Sequence, residues 1–141
     1  INQVVQAVQP AMATICTDDL TTWYDIGLTA AITPSASDST VLIQASICGS
    51  LEIAMLNLIF KLVRDSTDIN LGTGSGSRIV CSWGSGVQSS NNYDIAANKG
   101  HMFLDSPSST SEIDYKSAVQ EILVLFIEIE VLMILMPIVF L

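Results

Sequence analysis

The sequence predicts an all-β fold, a jelly-roll-like antiparallel β-sandwich, on three observations. Short apolar runs, several alternating with a period of two, recur between clusters of Gly, Pro, Asn, Asp and Ser at fairly even spacing. The 141 residues give room for one domain with one core. The composition is 50% hydrophobic and 13% charged, against roughly 25% charged in ordinary globular chains. Much of the surface is therefore Ser, Thr, Asn and Gly. That suits an extracellular or virion β-protein better than an enzyme with Glu- and Lys-rich helices.

Taken in order, Val4-Val5-Gln6-Ala7-Val8 reads as a first strand. Trp23-Tyr24-Asp25-Ile26-Gly27-Leu28 follows, with Trp23 and Tyr24 one in and one out, and the alternation runs on to Ile32. Thr33-Pro34-Ser35-Ala36-Ser37-Asp38 then imposes a turn by fixing a backbone angle and offering capping side chains. Val41 to Ile47 is a buried strand. Leu51 to Val63 carries both helical and strand spacing, and a strand from Leu56 to Arg64 is favoured because Ile59 to Arg64 alternates. Asp65-Ser66-Thr67-Asp68 makes a tight turn, with Ile69 to Leu71 opening the returning strand. The run Ile79 to Trp83 reads as a strand between flexible glycine loops, Gly72 to Ser77 and Gly84-Ser85-Gly86. Ser89-Ser90-Asn91-Asn92 continues the loop. Met102 to Asp105 is a strand stopped by Ser106-Pro107-Ser108-Ser109-Thr110, and Ile113 to Lys116 starts another.

Charge excludes one class of partner. A net charge of -9 with five Lys and Arg repels a phosphate backbone, whose binding depends on cations that release counterions, so no nucleic acid is expected. Cys16, Cys48 and Cys81 are an odd number, far apart and without a Cys-x-x-Cys pair, and read as free thiols acting as small apolar residues. Ile1 to Pro10 lacks the basic and apolar regions of a signal peptide. The absence of an initial Met fits a processed product or a fragment of something longer.

Nothing in the sequence reads as catalytic or cofactor-binding. His101 is the only histidine, which excludes a multi-histidine metal site; it reads as a loop or strand-edge residue sharing a face with Asp105. Gly72, Gly74 and Gly76 lack the Gly-Lys-Ser ending of a phosphate loop. Asp65, Asp68, Asp94, Asp105 and Asp114 do not follow calcium-loop spacing and read as solvated turns. The candidate contact site for a receptor or glycan is Trp83 and Tyr93 with Asn91 and Asn92, since flat amphipathic rings beside small polar side chains suit sugar and protein surfaces. The competing reading packs Trp83 inside the sandwich or a subunit interface.

Four segments in order carry a resemblance: Val4-Val5-Gln6; Trp23 to Leu28 with Ile32-Thr33-Pro34-Ser35; Phe60 to Thr67; and Phe103 to Thr110 with Tyr115-Lys116. They resemble a sandwich domain common in tail fibre and virion surface proteins of marine and freshwater phages, notably cyanophages, over about Ile1 to Lys116. The resemblance implies a jelly-roll-like domain, homotrimeric, at the distal end of a longer fibre on the phage particle. It also implies contact with other virion proteins and attachment to a host-surface glycan or protein, with no catalytic residues and no cofactor. Capsid decoration is the nearest alternative role.

The ending departs from that family and divides the chain into a sandwich domain, 1–121, and an anomalous apolar tail, 122–141. The tail has three readings. As a membrane-spanning helix it has the length, which would make a tail-anchored membrane protein, but Glu128 and Glu130 near its middle cost on the order of 3 kcal/mol each. As core strands it alternates only over Ile127 to Val131. As a frameshift product it fits best: within codon degeneracy, a frame one base earlier reads Asn-Thr-Gly-Thr-Val-Tyr-Arg-Asn-Arg-Ser-Val-Asn-Asp-Thr-Asp-Ala, close to the family's usual closing strand and Asp-rich segment.

Overall fold

The computed structural model describes residues 3–8, 22–49, 56–77, 79–87, 97–121 and 133–138. Among them are nine strands and no helix: β1 (Val5–Ala7), β2 (Trp23–Ile32), β3 (Thr40–Gly49), β4 (Leu56–Arg64), β5 (Thr67–Ile69), β6 (Trp83–Val87), β7 (Ala97–Asp105), β8 (Ile113–Glu121) and β9 (Met133–Ile138). Their pairing is antiparallel and nested. β1 pairs β9, β2 pairs β8, β3 pairs β7, and β4 with β5 closes the series as a hairpin. Further pairs, β3 with β9 and β4 with β8, assemble these into two sheets, β1-β9-β3-β7 and β2-β8-β4-β5, with β6 also on β4. The fold is a β-sandwich.

Two-residue periodicity builds the core. On β2, Ile26, Leu28, Ala30 and Ile32 are buried; on β3, Val41, Ile43, Ala45 and Ile47; on β4, Phe60 and Leu62; on β8, Ile113, Tyr115 and Val119. Each large apolar side chain so buried stabilises the fold by on the order of 2 kcal/mol. β2 keeps its alternation through a bulge. Between the pairs Asp25↔Ala118 and Thr29↔Lys116 it carries two more residues than β8. Asp25 Oδ1 accepts the Gly27 N–H at 2.8 Å, and Gly27 takes φ +79°, a region open to glycine. An insertion of two preserves parity, so Tyr24 and Leu28 both face the core. Trp23 faces the other way, with the Lys61 ammonium 4.9 Å from its ring centre.

The edge beside β4 differs from the sequence expectation. The return strand begins at Thr67, not Ile69, because the hairpin turn is only Asp65-Ser66. Asp65 adopts φ +54°, which short polar side chains tolerate. It is locked to the start of β8: its N–H donates to the Asp114 carbonyl at 2.7 Å, and its Oδ1 accepts the Asp114 N–H at 2.9 Å. β5 covers the end of β4, then the register jumps by twelve residues before β6 covers the rest. Ser82 seals the gap. Its hydroxyl accepts the Leu62 N–H at 3.0 Å and donates to the Ile69 carbonyl at 3.1 Å, while its own N–H donates to the Phe60 carbonyl at 2.9 Å. The strand expected at Ile79 to Trp83 therefore lies later: Ile79 to Ser82 belong to the excursion, and Gly84-Ser85-Gly86, expected as loop, pair with Asn57, Leu58 and Ile59. β4 needs ladder partners, and that demand overrides the low strand preference of glycine.

β9 lies between β1 and β3, so residues 133–138 of the apolar tail are part of the first sheet. The alternating stretch Ile127 to Val131 falls outside the described residues, as does Cys16. Cys48 and Cys81 are free thiols.

Asp105 also departs from the reading of a solvated turn. It is 6% exposed, at the end of β7, and reaches across to the second sheet. Arg64 Nη1 donates to both of its oxygens at 3.0 and 2.9 Å, and the Tyr115 hydroxyl donates to Oδ2 at 2.6 Å. Burial, then the hydrogen bond to Asp105 and its negative charge, push the Tyr115 phenol far above its ordinary value. Tyr115→Phe, which deletes one charge-assisted bond, is expected to lower unfolding free energy by about 1.5–3 kcal/mol. Asp105→Ala, which strands a buried hydroxyl and a half-buried guanidinium, is expected to cost more, about 3–5 kcal/mol. Urea unfolding curves check both, and Asp105→Ala must be the worse.

Candidate functional site

Of the four candidate contact residues, Asn91, Asn92 and Tyr93 lie outside the described residues. Trp83 opens β6 opposite Phe60, on the face turned toward the core. Phe60 stacks on it at 5.1 Å between ring centres with 21° between planes, and His101 at 4.7 Å and 4°. The indole Nε1 is buried without a hydrogen-bond partner. Trp83 is thus packed against the core, as in the alternative raised from sequence, and remains partly exposed.

His101 sits on β7, opposite Ala45, and is half-buried. Its Nε2 lies 2.6 Å from Asn70 Nδ2, so the neutral ring accepts the amide's proton. Burial lowers its pKa from 6.5. Asp105 follows four residues later on the same face, as the strand period requires, but is spent on Arg64 and Tyr115. No nucleophile stands beside either. Among the described residues, no three of His, Cys, Asp and Glu are grouped to hold a metal ion.

The other face of the first sheet offers a different feature. Gln44, Ala45 and Ser46 of β3 with Gly100, His101 and Met102 of β7 line an open groove of about 510 Å³. Gly100 stands opposite Ser46 and Met102 opposite Gln44. The small Gly100–Ser46 pair makes the depression and Met102 walls it. Met102 is 63% exposed and Leu104 43%, and the groove's lining carries no carboxylate, ammonium or guanidinium. Sequence reasoning missed it. The available signal was the outward register of Met102 and Leu104, apolar residues where an alternating strand should be polar.

No family model matches the chain, and neither the curated proteins nor the solved structures give a match.

If Trp83 works by stacking, its N–H is dispensable. Trp83→Phe, which keeps a stacking ring but a smaller one, is expected to cost about 1–2 kcal/mol. Trp83→Ala is expected to cost about 3 kcal/mol, the lower end for a large aromatic because the residue is only half-buried. Thermal or urea unfolding distinguishes them; equal losses would contradict the stacking role.

Proposed function

We propose that this chain is a jelly-roll module of a phage virion, acting as a tail-fibre or receptor-binding domain in host attachment. In this reading it is homotrimeric and contacts other virion proteins. The observation that carries the reading is the nested strand pairing, β1 with β9, β2 with β8 and β3 with β7 around the β4–β5 hairpin. A long antiparallel ribbon rolled into two facing sheets is the jelly-roll plan, which recurs in viral capsid and lectin domains.

Fold alone does not carry function. Three further features support attachment over catalysis. The net charge of -9 disfavours phosphate-bearing polymers. The outward residues Leu42, Gln44, Ser46, Gly100, Met102 and Leu104 form an uncharged strip along β3 and β7. The ordered resemblance of the four segments points the same way. Capsid decoration draws on the same fold and strip, and the two roles separate on ligand retention.

The test is light-scattering mass with a glycan array, run on the whole chain and on one whose residues 122–141 are replaced by the alternative-frame ending. The expected mass is three times the 15.1 kDa of one chain, with retention on at least one neutral glycan class. A trimer retained by no glycan favours decoration. Monomers of both chains, retained by none, overturn the reading.

A further inference from the structure

The excursion between β5 and β6 leaves the β4 ladder at Asn70 and rejoins it at Trp83. Both ends touch one residue of the opposite sheet. Asn70, at φ +53°, places its amide nitrogen 2.6 Å from His101 Nε2, and the Trp83 ring lies flat against the imidazole at 4.7 Å. Residues 70–77 and 79–82 form a side flap across the gap between β4 and β7, with His101 against Asn70 at its start and against Trp83 just past its exit. Ser82 also ties the exit to β4 and β5, whereas residues 71–77 and Ile79 are exposed, and the internal backbone bond, Gly72 N–H to the Cys81 carbonyl, is long at 3.4 Å.

We propose that His101 is a proton-controlled clasp: neutral, it pins the start of the flap to β7 through Asn70, and protonated, it releases it. In the neutral ring Nε2 offers a lone pair to the Asn70 amide. A proton on Nε2 sets two N–H groups against each other at that short distance, so Asn70 withdraws; an amide that turned over instead would keep the bond and leave the flap protected in acid. The proton also brings charge into a slot walled by Trp83, with Phe60 behind it. The Trp83 ring face returns part of that cost, and burial outweighs it, as the lowered pKa of His101 indicates.

Among the described residues, no ionised group faces the imidazole. Asn70 comes from the flap, Trp83 from β6, and Ala45 with Gln44 and Ser46 from β3. Lys99 and Asp105 share β7, and Asp105 is held by Arg64 and Tyr115. Asp68 on β5 is paired with Lys61. The flap's own thiol is Cys81. A histidine whose folded pKa lies below its unfolded one contributes stability above pH 6.5 that is lost as pH falls through the folded value. The clasp is therefore closed at neutral pH and opens in acid.

The chain has only one histidine, so its imidazole titration needs no assignment. The imidazole resonance of the whole chain is titrated by NMR, and amide exchange, corrected for intrinsic rates, is followed from pH 7 to about pH 5, the range in which histidine titrates. The expected result is a midpoint below 6.5, with loss of protection in 70–82 at that midpoint while β3 and β8 stay protected. His101→Gln, which keeps a hydrogen-bonding group without a titrating one, is expected to abolish the pH dependence. A midpoint at or above 6.5, or equal protection of 70–82 across the range, overturns the proposal. So does a transition that survives His101→Gln.

Discussion

A carboxylate buried between two sheets has to find cationic or protic partners, and Asp105 finds both of its partners in the sheet opposite its own. Arg64 reaches it from the end of β4 and Tyr115 from β8. An unpaired charge there would be strongly destabilising, so the sheets are constrained to one relative placement at this end. The hairpin turn that follows Arg64 is in turn tied to β8 through Asp65 and Asp114. β7, the outer strand of its sheet, is thereby fixed to the second sheet at its last residue. Four residues earlier His101 fixes it again, through Trp83 and Asn70. Between these two ties Phe103 packs against the apolar core.

This arrangement separates the work of the two faces. Inward residues of β7 are committed to holding the sandwich, and its outward residues Gly100, Met102 and Leu104 are left to shape the groove and strip described above. A rigid scaffold presenting an uncharged, shallow face suits a binding or structural module. The nested ladder adds mechanical sense: β1, β2 and β3 are each paired with a strand late in the chain, so opening any of them breaks long-range pairs.

Much of this was legible in the sequence. The alternation of Ile59 to Arg64 ahead of Asp-Ser-Thr-Asp placed β4 at its observed limits, and the alternation from Trp23 to Ile32 placed β2. Trp23 and Tyr24 do face opposite ways. What escaped was non-local. The bulge at Asp25 to Gly27 preserves parity and so leaves the pattern unchanged. The apolar run Ile79-Val80-Cys81 resembles a strand, but the hydroxyl of Ser82 closes the ladder instead, and the glycines of β6 pair because β4 requires it. Asp105, followed by Ser-Pro-Ser-Ser, looks like a solvated turn residue; its partners lie 41 and 10 positions away, beyond any local pattern. For Trp83 both the contact and the packing readings were visible, but its stacking on Phe60 and His101, 23 and 18 positions away, lies beyond any local pattern.

The most direct measurement of the inter-sheet tie is a double-mutant cycle on Arg64→Met and Tyr115→Phe, read by urea unfolding. The two side chains share one carboxylate, so their effects should be non-additive by more than about 0.5 kcal/mol, the margin within which independent sites add. Additivity within that margin would mean that Asp105 does not bind them as a unit, and the account of how the two sheets are held together would be wrong.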